Sequence, residues 1–348
     1  MTSYLTIDGS RGEGGGQILR TSLALSAITG TPIHIVNVRG RRKKPGLMRQ
    51  HLTGVLAAAE LCGAEVEGAE LRSGELKFRP KTIRPGEYTF TVSTAGSACL
   101  VFQTVLPPLL MADGPSTVTF EGGTHNPMSP PYDFIERCFV PILARMGASV
   151  QIQLERPGFM PAGGGRFTAL IQPWRDRQQV ELMHGGEVVR RSARALVSRL
   201  PPRIGHRELR VVRDELGWEQ SDCAVETIDN SIGPGNVLFC GVEREHVSEI
   251  VTAFGQRGVR AEDVAQEAVR ELQRYLAADA PVGEHLADQL MLPMALAGGG
   301  RYRTLPLSLH SHTNKDIIEL FLDIDIDVAT QRHGDSQHKT ATVTVKPR

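Results

Sequence analysis

Three stretches of the chain are written to one pattern, and that repetition limits the fold more than any single motif does. GEGGGQILRTSLALSAITG (residues 12–30), STAGSACLVFQTVLPPLLMADG (93–114) and VGEHLADQLMLPMALAGGG (282–300) each open on glycine or small residues. Each runs into an apolar stretch of helix length and closes on glycine, the usual helix stop. The segments after these stretches also match one another: a β-rich run (TPIHIVNV, PSTVTFE, RYRTLPLSL), a polar loop (RGRRKKPG, GGTHNPMSPP, HSHTN), a second helix-like run (LMRQHLTGVLAAAELCG, YDFIERCFVPILARMG, KDIIELFL) and a strand (AEVEG, ASVQIQ, DIDIDVAT). Strand and helix alternate in every unit, which predicts an α/β (α+β) fold of three repeated units with sheet on one side.

The units open at residues 12, 93 and 282, so the last interval holds roughly 100 residues more than the first. We assign the excess to residues 184–280, a smaller αβ domain inserted into the third repeat. Residues 1–183 and 281–348 then form the large domain. Inside the insert, RSARALVSRLPPRIGHRELRVVRDELG and EAVRELQRYLAADA read as helical and SIGPGNVLFCGVE as turn and strand. The chain has 348 residues, 41% of them hydrophobic, enough for a core of this size,. Its 39 Lys and Arg balance 39 Asp and Glu, so a nucleic-acid partner has to be met by a local basic patch. Five cysteines without a CxxC pair point to buried thiols in a reducing compartment,. The N-terminal MTSYLTIDGSRGEGGG is not a cationic segment followed by an apolar run, and no apolar stretch is long enough to cross a bilayer,. The expectation is a cytoplasmic protein without a membrane partner.

The loops after the first β-run of each unit carry the unusual residues, and loops on a rigid scaffold are where sites usually form. In HSHTN, His310 and His312 flank Ser311. A neutral imidazole is a good nucleophile toward phosphorus near neutral pH; equally, Thr313 or Asn314 suits an N-cap for the next helix. In RGEGGGQ, glycines admit backbone N–H groups close to a phosphate, Glu13 offers hard oxygens to a divalent metal, and Arg20 lies one turn into the helix; a tight turn with an N-cap is the plainer alternative. RGRRKKPG sets Arg39, Arg41, Arg42, Lys43 and Lys44 within six residues, either a grip on an RNA backbone or a solvated turn. Asp288 and Gln289 open an apolar helix, where they either read an adenosine or cap. Gln103 interrupts an apolar helix, as a core amide or a ligand contact. RPGFMPAGGGRF (156–167) is a turn-rich hairpin signal,.

Taken together and in order, EGGGQILR, KPGLMRQHL, GGTHNPMSPPYDF, PAGGG, GEHLADQLMLPMALAGGG and the histidine loop resemble the RNA 3′-terminal phosphate cyclase family. The resemblance implies repeated βαβαββ-type units with a small αβ insert. It implies ATP and a divalent metal (Mg or Mn) as cofactors and an RNA with a 3′-terminal phosphate as partner, with no obligate protein partner. His310 falls at the family's nucleophile position, the covalent carrier of AMP. Gln103 and the run His285, Leu286, Ala287, Asp288, Gln289 match its adenylate pocket, with Pro130 or Pro131 against the adenine. Glu13 matches a position near triphosphate and metal, and Arg20, Arg39 and Arg42 match phosphate-contacting positions. His285 stands where a Tyr is expected, and Pro157 replaces a basic or imidazole residue. Two other readings compete: a noncatalytic RNA-binding ribosome-assembly relative, expected to lack the histidine, and a carboxyvinyl transferase of similar repeat architecture, which the basic and histidine loops disfavour.

Overall fold

The computed structural model of the chain describes residues 3–332 and 339–348. In the first unit, β1 (Leu5–Asp8) leads through the glycine run to α1 (Gly16–Thr29), then β2 (Ile33–Val36), α2 (Arg49–Cys62), β3 (Glu65–Glu67) and β4 (Leu76–Arg79). Both helices stop at left-handed glycines, Gly30 at φ 72° and Gly63 at φ 59°, as the glycine stops predicted. The strands pair in the order β1-β2-β4-β3. The first two are parallel and the remaining pairs antiparallel.

The second unit runs β5 (Glu87–Thr91), α3 (Ala98–Leu110), β6 (Ser116–Gly122), a helix in three stretches, β7 (Val150–Arg156) and β8 (Gly165–Ile171). That helix comprises α4 (Tyr132–Phe134), a π-helical turn Ile135–Phe139 and α5 (Val140–Arg145). Its sheet order is β5-β6-β8-β7, with the same pattern of parallel and antiparallel pairs. Three rings hold the core beneath it: Phe120 stacks on Phe167 at 4.8 Å, and Phe102 meets both edge-on at 5.6 and 5.9 Å. Such contacts add about 0.5–1.5 kcal/mol each beyond burial.

After β9 (Val180–Leu182) the chain leaves for a separate sheet: β10 (Val188–Ser198), α6 (Arg203–Leu216), β11 (Cys223–Ile228), β12 (Gly235–Arg244), β13 (Ser248–Phe254) and α7 (Ala261–Ala277). Its order is β11-β10-β12-β13, and Leu209, Val212, Leu238, Val264 and Leu272 belong to its own apolar cluster. The chain then returns with α8 (Glu284–Leu296), β14 (Gly300–Thr304), α9 (Leu309–Phe321), β15 (Ile324–Arg332) and β16 (Lys339–Pro347). Order β15-β16-β14-β9 repeats the pairing of the other two units, with β9 and β14 parallel. The helix expected at RSARALVS is corrected to strand. These residues lie in β10, between β11 and β12. Ala193, Ala195 and Val197 are buried there, so pairing on both edges overrides the helix propensity of its alanines and arginines.

The first helices of the three units, α1, α3 and α8, are apolar around most of their circumference, as buried helices must be. In α3 every residue except Gln103 is buried. The three helices line one cavity, and the site is assembled at its polar end.

Candidate active site

His310 stands in the first turn of α9, whose N-cap is Ser308; the Ser308 hydroxyl accepts from the Ser311 N–H at 3.3 Å. The cap is therefore not Thr313 or Asn314, because both already lie inside the helix and bind elsewhere. Thr313 Oγ accepts the Glu13 N–H at 3.0 Å and donates to the Leu309 carbonyl at 2.7 Å. Asn314 accepts from the Thr21 hydroxyl at 2.8 Å and donates to the Asp288 carbonyl at 3.1 Å. These two side chains fasten α9 to the turn before α1 and to α8. His310 is thereby set between two carboxylates: Nδ1 pairs with Glu13 Oε2, and Nε2 lies 3.3 Å from Asp288 Oδ2. Arg42 donates to the other oxygen of Glu13. His312, two residues on and so turned to another face of the helix, is exposed.

The glycine run has a packing reason. A Cβ at Gly15 would lie 2.5 Å from Arg42 Nη2, and one at Gly16 would lie 2.6 Å from His51 Nε2. Only a backbone without side chains lets a guanidinium and an imidazole press against it. His51 is pushed down to about 3, first by burial and then by Arg39, Arg20 and Arg42, so it is neutral. Its Nδ1 accepts from the Met48 N–H at 3.3 Å, leaving Nε2 as the protonated donor facing the glycine turn. Arg20 is lowered to about 10 by burial against the favourable charge of Asp288 and stays a cation at neutral pH. It donates to Gln17 Oε1 at 2.6 Å. Cations buried beside backbone N–H groups and a neutral imidazole donor make a pocket suited to a polyphosphate.

Behind this polar mouth a narrow cavity of about 60 Å³ runs down between α1, α3 and α8. Gln17, Arg20, Gln103, Asp288, Gln289 and Asn314 line its upper part, and Leu110, Trp174 and Leu296 lie lower. Thr21, Gln103 and Gln289 each take the sixth place in their helix, counted from Gly16, Ala98 and Glu284. Pro107 and Pro293 sit four residues beyond the two glutamines. Lacking N–H groups, they leave the carbonyls of Gln103 and Gln289 without their usual helical donor. Asp288 Oδ1 and Gln289 Oε1 are also buried without a hydrogen-bond partner. The cavity mouth is thus rich in acceptors that want a donor, such as an exocyclic amino group.

The structure brings together Glu13, Arg20, Arg42, Gln103, Asp288, Gln289 and His310. It does not bring in every expected residue. Arg39 donates to the carbonyls of Lys44 at 2.9 Å and Gly46 at 2.8 Å, so it shapes its own loop while adding charge near His51. His285 is 72% exposed in its side chain and faces Glu271 of α7 at 3.8 Å. Leu286 and Ala287 are fully buried, and the Ala287 carbonyl accepts from the Tyr302 hydroxyl. Pro131 caps α4, and neither Pro130 nor Pro131 lines the cavity. Sequence reasoning passes over His51, Gln17, Thr313 and Asn314 as site residues. The signal for His51 lies in KPGLMRQHL, where a histidine comes directly after the basic loop. All five cysteines are buried and unpaired.

Known proteins are similar to this chain along nearly its whole length. The family described as RNA 3′-terminal phosphate cyclase matches residues 11–328. The RNA 3′-terminal phosphate cyclase of Koribacter versatilis (strain Ellin345) is 49% identical over 331 residues, which is 95% of this chain and 93% of that protein. The cyclase of Pseudomonas aeruginosa (strain UCBPP-PA14) is 50% identical over 322 residues, 92% and 94% of the two chains. That of Salmonella typhimurium (strain LT2) is 47% identical over 334 residues, 96% and 98%. Identity at this level over nearly the whole length of both chains, on top of the site geometry, means that the chain belongs to the RNA 3′-terminal phosphate cyclase family.

Proposed function

We propose that the chain converts an RNA 3′-terminal phosphate to a 2′,3′-cyclic phosphate with ATP, through AMP carried on His310. The placement of His310 between Glu13 and Asp288, beside Arg42 and Arg20, is the observation that supports it most. Glu13 accepts from Nδ1, which leaves Nε2 as the nitrogen with the lone pair. Nε2 then attacks the α-phosphorus of ATP, a P–N bond forms, and pyrophosphate leaves. An oxygen of the RNA 3′-phosphate next attacks that phosphorus; the P–N bond breaks and its electron pair returns to Nε2. The product is an RNA–adenylate anhydride. Last, the vicinal 2′-hydroxyl attacks the terminal RNA phosphorus, its proton passes to solvent, and AMP departs. Closure of the ring is intramolecular and gains from proximity. The surrounding cations offset the charge of the phosphates.

Among the described residues no group of three or more His, Cys, Asp or Glu side chains is placed to hold a metal ion. Glu13 still fits a divalent cation of the Mg type, which is commonly held by one or two carboxylates together with substrate phosphates. Such a cation, when bound, would supply charge neutralisation at the triphosphate. Gln103 and Gln289 offer acceptors and donors for the adenine, and the exposed Arg41, Lys43 and Lys44 suit an RNA backbone,. In the same reading the three sheets are copies of one βαβαββ unit, and residues 184–280 are an inserted domain. Among the described residues no helix is long and apolar enough to cross a membrane.

The test is incubation with α-labelled ATP and a divalent cation. We expect an acid-labile AMP adduct on the protein that is lost in His310→Ala. Transfer of label to 3′-phosphorylated but not 3′-hydroxyl RNA, followed by a cyclic end, completes the scheme. A wild-type protein that forms no adduct overturns it.

A further inference from the structure

We infer that the inserted sheet sets the position of the ATP-reading helix, with Glu249 as the positioning residue. This rests on the adenylation proposed above. α8 starts at an N-cap glycine, Gly283, which has no side chain with which to cap its own helix. In α3 and α9 a serine at that position accepts an N–H of the first turn. In α8 the cap residue's own N–H is instead taken by a side chain from another part of the chain. Glu249, on β13 of the inserted sheet and only 4% exposed, accepts the Gly283 N–H through Oε2 at 2.9 Å. Its carboxyl group occupies the space a Cβ on Gly283 would need, with both oxygens 2.6 Å from that point. A carboxyl oxygen at a helix N-terminus satisfies an orphan donor.

Further contacts close the same turn from the insert. The Tyr275 hydroxyl of α7 donates to the Pro281 carbonyl at 2.9 Å, Arg274 pairs with Glu284 at 3.0 Å, and Glu271 faces His285 at 3.8 Å. One turn on, α8 carries Asp288 to His310 and Gln289 to the cavity. A shift of the first turn therefore moves the groups that meet ATP, while Arg42 and the basic loop belong to the first unit and stay where they are. Residues in the insert act on the ATP end of the site and leave the RNA end alone.

The experiment compares Glu249→Ala, Glu249→Gln and Gly283→Ala in the full chain. The ATP concentration for half-maximal AMP labelling, the RNA concentration for half-maximal cyclisation, and amide exchange across residues 283–287 are measured together. For Glu249→Ala we expect the ATP value to rise about fivefold to tenfold and exchange to quicken by a similar factor, the size of a lost cap. The RNA value should stay within about twofold. Glu249→Gln retains an acceptor oxygen and should behave like wild type. Gly283→Ala should show the same split, and its effect should shrink when Glu249 is also Ala, because the collision is then gone. Unchanged exchange in Glu249→Ala overturns the inference, as does an equal change in both half-saturation values. A wild-type protein that never labels counts against the histidyl–AMP scheme instead, and exchange then decides on the clamp alone.

Discussion

Two histidines, one after β6 and one after β14, are each paired with a carboxylate, yet their surroundings differ. His125 follows β6. Its Nε2 is 2.8 Å from Asp133 Oδ2, and its Nδ1 is 2.8 Å from the Thr124 hydroxyl. Arg194, on β10, donates to the other oxygen of Asp133 at 2.7 Å and grips Glu226 with two bonds of 2.7 Å. The His125 ring packs against Phe159 at 5.4 Å, and its side chain is 0% exposed. His310 follows β14, is 34% exposed, and looks out past Glu13 and Asp288 onto arginines. A histidine–carboxylate pair with every polar atom satisfied and no open face is a fastener. The same pair with one open face, set among cations, is available for chemistry. Burial and the number of committed partners separate the two, not the residue types.

Replacing each histidine tests that contrast most severely. His310→Ala should lower AMP labelling by at least about 10³-fold while unfolding normally. His125→Ala should still label per folded molecule but lose about 2–3 kcal/mol of stability in denaturant titration, since it strips a buried carboxylate of one partner. Normal labelling by His310→Ala would erase the distinction. Next in size is Glu13→Ala, which frees the His310 ring from its orienting acceptor. A fall of about 10²-fold in labelling rate is expected, and a wild-type rate would mean that Glu13 does not set the reactive nitrogen.

The closed pair should instead reveal itself through pH. Burial alone would raise the Asp133 carboxyl, but His125 and Arg194 outweigh it and hold the group well below its usual 3.8. A depressed carboxyl contributes stability above its unfolded value and loses it as pH falls below that value. Melting temperature should therefore drop between about pH 4 and pH 2, and Asp133→Asn should flatten that part of the curve. An unchanged slope in the variant would remove Asp133 from the account. The smallest effect belongs to His312→Ala, because that side chain is exposed on α9. Labelling within about twofold of wild type is expected, and a large loss would mean that the two histidines share the reaction.

Much of this is legible in the residues. The glycine stops and apolar runs locate α1, α3 and α8, and the resemblance picks His310 from among 11 histidines. Short strands are harder to see. β4 and β16 carry no turn signal as distinct as the glycine runs. β10 mixes alanine, arginine and serine with its valines, and pairing with its neighbours makes it a strand,. Which residues meet is harder still. Thr313 and Asn314 read as helix caps because a cap is local, whereas their actual partners, Glu13, Thr21 and Asp288, are far away in the chain. Arg39 and Arg42 look interchangeable in RGRRKKPG, but one holds its own loop and the other holds Glu13. His285 reads as part of the adenylate run, though it sits on the outer face of the first turn of α8.

The bond between His310 and Glu13 joins positions 297 residues apart, and that between Asn314 and Thr21 joins positions 293 apart. Contacts of such long sequence separation form late, since the chain between them must be ordered first. Synthesis from the N-terminus lays down the basic loop and the glycine turn long before His310 exists. A partly made or partly refolded chain therefore holds Glu13 and the glycine turn without the imidazole they meet. On the proposed scheme, AMP labelling should lag behind helix and sheet formation during refolding, and its appearance marks the moment when α9 closes on the turn before α1.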